Sequence, residues 1–173
     1  ADLVGTGASS GVKESPFSTD EGAQAVEIVE WLADRPWTNG RVGMFGLSYG
    51  GLTSLKAAAE NPDPLEAIVP IHAPYTGFRD RYPGGTFWMY GRNRWGSMQQ
   101  ALLPAPPTLR DPDGDWVDVW EDHLDELEAG TPFLFQFLEY ESLDDYWSGK
   151  DIPVENIETP TLAVSGWRDY FPA

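Results

Sequence analysis

Cysteine is missing altogether from the 173-residue sequence. Its absence excludes a disulfide scaffold, a thiol nucleophile and a thiolate metal site, and leaves the redox compartment open. Cations are scarce, with 11 Lys+Arg against 28 Asp+Glu and a formal net charge of -17. Sequence-independent nucleic-acid binding needs clustered cations to displace counterions from phosphates, so that class is excluded. Docking on an anionic membrane is excluded on the same ground. No run approaches the ~18 consecutive apolar residues of a membrane-spanning helix. An initiator Met and a cationic-then-apolar leader are missing too: the chain opens Ala1-Asp2-Leu3. It reads as an internal fragment, which leaves localisation open.

What is present is a substantial apolar complement, 41% of residues, with 8 Trp, 7 Tyr and 8 Phe. That is enough to build a core rather than a disordered chain. The length fits one domain, or a domain with an insertion. The charge is segregated. Residues 1–110 carry 11 acids and 9 bases, whereas residues 111–158 carry 16 acids and one base, Lys150. The tail from 159 onward is neutral, holding Arg168 and Asp169. Composition thus sets an acidic insert between two near-neutral stretches.

The periodicities point to an α/β protein. Ser18-x-x-Glu21 forms a capping-box pattern ahead of a helix running to about Asp34, with Gly22, Ala25, Val26, Val29 and Leu32 at helical spacing. Residues 41–46 (RVGMFG) read as a short buried strand, and residues 49 to about 60 as a helix stopped by Asn61-Pro62. Residues 65–71 (LEAIVPI) and 161–165 (TLAVS) are further strands. This alternation implies a parallel sheet with helical crossovers. Residues 74–150 break the alternation and read as helical and aromatic-rich. Within them, residues 116–128 predict an amphipathic helix with Trp116, Val119, Trp120, Leu124 and Leu127 inward and an acidic outer face.

One motif carries chemistry. Gly46-Leu47-Ser48-Tyr49-Gly50 fits G-x-S-x-G and sits directly between a strand and a helix, the context a nucleophile elbow requires. A sharp turn lifts the Ser48 hydroxyl above the sheet. Gly46 and Gly50 leave room across the turn, and Gly51 extends the small-residue stretch. The helix N-terminus brings a positive dipole, with the Tyr49 backbone N–H placed to donate to an oxyanion. A serine at its ordinary pKa needs a histidine base, itself oriented by an acid. Asp169, just past the last strand, is the acid candidate, because ligand sites form at the carboxyl ends of parallel strands.

Five blocks make the sequence recognisable. Asp2-x-x-Gly5-x-Gly7-x-Ser9-x-Gly11 resembles the D-x-R-G-x-G-x-S-x-G loop of the CocE/NonD hydrolases, the cocaine esterase and X-Pro dipeptidyl-peptidase (S15) group. Trp37-x-x-Gly40-x-Val42-Gly43-Met44-x-Gly46-x-Ser48-Tyr49 resembles that family's elbow segment. Tyr82-Pro83-Gly84-Gly85 is similar to the start of its helical cap and Asp144-Asp145-Tyr146-Trp147 to the cap's end. Gly166-Trp167-x-Asp169 is similar to the segment carrying the triad acid. Val4 departs from the pattern, standing where the family usually has Arg. Gly50-Gly51 departs from the commoner Leu-Gly or Glu-Gly.

The resemblance implies an α/β-hydrolase fold, with a mostly parallel sheet present only in part and an inserted helical cap. It implies residues 1–73 as the first part of the core, 74–150 as the cap and 151–173 as a return to the core. It implies a serine hydrolase cleaving ester or amide bonds, acyl or X-Pro dipeptidyl, through an acyl-enzyme. Ser48 is then the nucleophile, Asp169 the triad acid and the Tyr49 N–H one oxyanion donor. The family's second oxyanion donor, a Tyr side chain, precedes this segment, and its triad histidine follows it, so the chain alone is expected to be inactive. The competing reading is a non-catalytic binding protein on the same fold.

Two histidines lie within the chain, His72 and His123. His72 ends a strand at the sheet edge and is either satisfied by backbone or a pocket residue. His123 reads as packed on its helix. Phe87, Trp88, Trp95 and Trp147 are candidates to line an apolar acyl pocket, with cap core as the alternative. The expected partner is a small ester or amide or a short peptide. An acidic cap would steer cationic substrates, and a salt-adapted source leaves the same signature. No cofactor is implied and no metal-ligand spacing is found; the glycines at 5, 7 and 11 lack dinucleotide spacing and a P-loop Lys. The oligomeric state stays open.

Overall fold

The structure, a computed structural model, describes residues 2–107, 114 and 116–168. Two compact units share the chain: residues 17–80 with 145–173, and residues 1–16 with 81–144.

The first unit is a parallel α/β layer. Helix α1 (Asp20–Ala33) buries Glu21, Gly22, Ala25 and Val29, a stripe at helical spacing. The helix stops where the Thr38 hydroxyl shares its one proton among the carbonyls of Leu32, Ala33 and Arg35, at 3.1, 3.2 and 3.0 Å. Gly40 then takes a positive φ of 79° and turns the chain into strand β1 (Val42–Leu47). Helix α2 (Tyr49–Ala59) follows, and strand β2 (Leu65–Ile71) returns parallel to β1, with Met44 opposite Ile68 and Leu47 opposite Ile71.

The third expected strand is present only as the start of a parallel ladder. Thr161 bridges Ile68 and Val164 bridges Ile71, supported by N–H donation from Leu162 to Ile68 and from Val164 to Pro70, each at 3.0 Å. Helix α2 lies against both strands, and α1 packs chiefly on α2 with a smaller contact to β1. The opposite sheet face is open among the described residues: Phe45 is 81% exposed, Leu47 63% and Leu162 64%.

The Ser18–Glu21 capping box is not what forms at the head of α1. Its N-cap is Thr19, without a side-chain cap bond, and the Glu21 carboxylate turns inward to accept from the Phe17 N–H at 3.1 Å. The reason is burial: Glu21 is 1% exposed and faces partners on α2 rather than the first turn of its own helix.

Helices α3 (Gly77–Arg81) and α7 (Asp145–Ser148) bring Trp147 into this unit's core. Its ring is fully buried, edge-on to Phe78 at 5.9 Å and to Tyr146 at 5.0 Å. Gly77 makes room for it; a Cβ there would lie 3.0 Å from the Trp147 carbonyl oxygen and 3.2 Å from its ring.

The second unit is helical. A 3-10 turn at Pro83–Gly85 and a π-helical turn at Met89–Asn93 lead into α4 (Arg94–Leu102), followed by α5 (Trp116–Ala129) and α6 (Phe133–Glu139). Phe137 is wholly buried, with the Trp95 ring stacked at 6.2 Å and the Arg81 guanidinium 5.5 Å above its own ring. The Tyr82 hydroxyl donates to the Phe137 carbonyl at 2.7 Å, and burial, aided by Glu141, pushes that phenol's pKa up. On α5 the buried position is His123, whose Nε2 lies 3.0 Å from the Ser9 carbonyl. The inward stripe therefore runs through Trp116, Val119, Trp120, His123 and Leu127, while Leu124, expected inward, is 37% exposed. Among the described residues no helix is long and apolar enough to cross a membrane.

Two outcomes follow from this packing. Trp147→Ala empties a fully enclosed site, so urea unfolding should show a loss of about 3–5 kcal/mol. The Glu126 carboxyl is pushed up chiefly by burial, with His123 opposing and Asp122 adding to the rise. A carboxyl that holds its proton more tightly when folded stabilises below its ordinary pKa, and loses that contribution as pH rises through the folded value. Glu126→Gln should therefore raise the Tm by no more than a few degrees at pH 7 and leave it unchanged near pH 4.

Candidate active site

A strand becomes a helix here within one residue. Ser48 follows β1 and caps α2 with φ 57° and ψ -111°, a backbone that L-residues rarely adopt. Such strain persists only where its surroundings over-determine it. The Ser48 N–H donates to the Ile71 carbonyl at 2.8 Å, and its own carbonyl accepts from Leu52 at 2.9 Å, so both backbone groups are fixed.

The glycines make the turn possible unequally. A Cβ on Gly46 would overlap the carbonyl carbon of Gly50 and come 2.8 Å from its Cα. The mirror constraint on Gly50 does not hold: a Cβ there meets nothing within 4 Å among the described residues. The turn folds the backbone of residue 50 over residue 46, so the space at risk is that of Gly46 alone. The second tight position is Gly51, where a Cβ would lie 2.8 Å from the Ala73 Cβ, 2.9 Å from the Gly46 carbonyl oxygen and 3.2 Å from the Ile71 N.

Ser48 is half-buried at the carboxyl end of the parallel pair. Helix α2 begins at the next residue and aims its N-terminal amides at the same place, giving an anion-favouring field. The hydroxyl and the Tyr49 amide thus belong to one rigid turn. This pairing suits attack on a carbonyl followed by stabilisation of the oxyanion that forms.

The strand end holds a second strained residue. His72 takes φ 46°, and its N–H donates to the Val164 carbonyl at 2.9 Å. It directly follows Ile71, the acceptor for Ser48, so the two residues end neighbouring strands. A Cβ on Gly166 would lie 3.4 Å from the His72 Cε1, which brings the Gly166-Trp167 segment to the same strand end. Asp169, the expected acid, lies outside the described residues. Trp147 is core of this unit rather than a solvent-reachable wall, because its side chain is fully enclosed.

The aromatic candidates Phe87 and Trp88 fall in the helical unit, both half-buried. Phe87 lies 5.3 Å from Tyr82, ring to ring. The Arg92 guanidinium sits 5.4 Å over the Trp88 ring. The loop at residues 2–11 is tied internally: Ala8 N–H donates to the Asp2 carboxylate at 3.2 Å and the Ser9 hydroxyl to the Asp2 carbonyl at 2.9 Å.

Sequence reasoning missed Glu21 and Lys56. Lys56 is 7% exposed and pairs with Glu21 at 3.2 Å, and Glu21 also accepts from the Tyr49 hydroxyl. The available signal was an acid on the buried stripe of one helix and a lysine on the buried stripe of the next.

Comparison with known proteins places the chain. The family model described as X-Pro dipeptidyl-peptidase (S15 family) matches residues 1–172. Cocaine esterase of Rhodococcus is 27% identical over 173 residues, covering 88% of this chain and 30% of its own length. A CocE/NonD family hydrolase from Staphylococcus aureus is 25% identical in structure-based comparison, with a TM-score of 0.66, covering 92% of this chain and 24% of that one. An aminopeptidase from a marine sediment archaeon (Thaumarchaeota archaeon) shares the fold at 20% identity and a TM-score of 0.70, over 95% of this chain and 31% of its own. The fold is that of the α/β hydrolases, with part of its parallel sheet. The chain spans less than a third of the length of the curated relatives it matches.

The unequal glycines give a paired test. Gly46→Ala should cost about 3 kcal/mol or more by denaturant unfolding, because backbone rather than a movable side chain blocks the Cβ. Gly50→Ala, in the first turn of a helix with open space, should be neutral or stabilise by up to about 1 kcal/mol.

Proposed function

The chain belongs to the X-Pro dipeptidyl-peptidase (S15) family, and from that premise we propose that it carries the nucleophile segment of a serine hydrolase. The observation that carries the reading is the backbone of Ser48, held at φ 57° between a parallel strand and a helix N-terminus. Strain of this kind at a residue with nucleophilic chemistry supports a catalytic role over an incidental turn.

The substrate is a small ester or amide, or a short peptide with an X-Pro bond. Ser48 Oγ attacks the acyl carbon while a histidine takes its proton, and the carbonyl π pair moves onto oxygen. The Tyr49 N–H donates to that oxyanion. Collapse restores the carbonyl and breaks the bond to the alcohol or amine, which leaves with the proton from the imidazolium. Water, deprotonated by the same histidine, then cleaves the Ser48 ester and regenerates the hydroxyl. Asp169 orients the histidine in this scheme.

The histidine is not supplied by residues 1–173 on this reading. His123 is engaged with Ser9 in the helical unit. His72 precedes the acid in the chain, whereas this fold's triad runs Ser, acid, His. The isolated 173 residues are therefore inactive on their own, and turnover by them would put His72 or His123 into the triad.

The test is covalent labelling. A fluorophosphonate should modify Ser48 in the intact protein, and Ser48→Ala should abolish labelling and lower kcat on the order of 10⁴-fold or more. An unlabelled wild type, or hydrolysis that survives Ser48→Ala, would overturn the proposal.

A further inference from the structure

Behind the elbow lies a buried polar relay that the scheme above does not use. Glu21, on α1, is 1% exposed, and Lys56, near the end of α2, is 7% exposed. A carboxylate this enclosed needs several partners, and its two oxygens divide the work. Oε2 faces the Lys56 ammonium at 3.2 Å. Oε1 accepts from the Phe17 N–H at 3.1 Å and from the Tyr49 hydroxyl. The Tyr49 oxygen in turn lies 3.1 Å from the Phe17 N as acceptor, and the two rings stack at 4.8 Å. Lys56 also donates to the Ser18 carbonyl. Phe17 meets these demands with a positive φ of 63°.

The geometry gives Glu21 two grips on one helix. Tyr49 and Lys56 are seven residues apart on α2, two turns along one side, so a single carboxylate fixes both ends of the segment. Gly22 allows the close approach; a Cβ there would lie 3.4 Å from the Lys56 carbonyl oxygen. What is gripped at the N-terminal end is Tyr49, whose backbone N–H is the oxyanion donor in the proposed mechanism. A backbone amide at a frayed helix start is free to reorient, whereas one whose side chain is bonded at its far end is not. Oxyanion stabilisation depends on a donor aimed before the charge appears, and small misplacement is costly.

We propose that Glu21 is a positioning residue for the oxyanion donor, acting through the Tyr49 phenol, with Lys56 holding the carboxylate in place. The inference rests on the serine-hydrolase reading and assigns to it a residue outside the triad. Glu21 and Lys56 are buried between α1 and α2, so neither touches substrate. Its effect falls on charge development in the transition state and not on ground-state binding, so it moves kcat and spares KM.

The experiment uses the intact protein and a p-nitrophenyl ester, with active sites counted by fluorophosphonate titration so that misfolded molecules do not enter the rate. Tyr49→Phe and Glu21→Gln should each lower kcat per titrated site about tenfold, leave KM within about twofold, and weaken binding of a boronic acid transition-state analogue in proportion to kcat. Lys56→Met serves as the second variant of the carboxylate's environment and should act in the same direction. A merely structural relay would lower the Tm while kcat per titrated site and boronate affinity stayed at wild-type values, and that result would overturn the inference. A change confined to KM would overturn it as well. Failure of the underlying reading looks different: the wild type itself would take up no fluorophosphonate.

Discussion

The fold around the elbow depends on one steric fact: the backbones of residues 46 and 50 cross too closely for any side chain at residue 46. That closeness lets a strand end and a helix begin on either side of a single residue. It fixes where Ser48 points and where the α2 amides point, because both are parts of one turn. The register with β2 follows, since the Ser48 N–H takes the Ile71 carbonyl as the next rung beyond the strand. Gly51 then lets the helix settle against Ala73. Chemistry and packing are not separable at this point of the chain.

The sequence is legible where structure is local. Apolar runs mark β1, bounded by glycine, and β2, bounded by proline-containing turns; helical spacing marks α1, α2 and α5, and the elbow follows from a five-residue pattern in context. It is less legible where partners are distant. Ser18 and Glu21 have the spacing of a capping box, but Glu21 finds partners 28 and 35 residues away, and burial there outweighs a bond on an exposed helix end. His123 is packed on its helix as its spacing predicts, but its bond to the Ser9 carbonyl, 114 residues away, is something helical periodicity cannot see. Gly50 and Gly51 are indistinguishable by composition, and only the path of the chain after the turn decides which is crowded.

Charge and site are kept apart. The acids concentrate between residues 111 and 158, whereas the elbow and both strands lie in a stretch close to neutral. The one carboxylate buried behind the elbow is matched by an ammonium. An ion pair enclosed in this way contributes little net stability, and removing one partner leaves a costly orphan. Such a pair is better understood as fixing one arrangement of α1 against α2 than as cementing them.

The open face of the sheet has a consequence for how this region holds together. Among the described residues Phe45, Leu47 and Leu162 are exposed on one side, while on the other α2 covers both β1 and β2 and is itself backed by α1. Loosening α2 removes the cover of both strands on that side at once. Strands, elbow and α2 should therefore behave as one cooperative opening unit, with the slowly exchanging amides of β2 and of the middle of α2 releasing their protons together rather than in sequence.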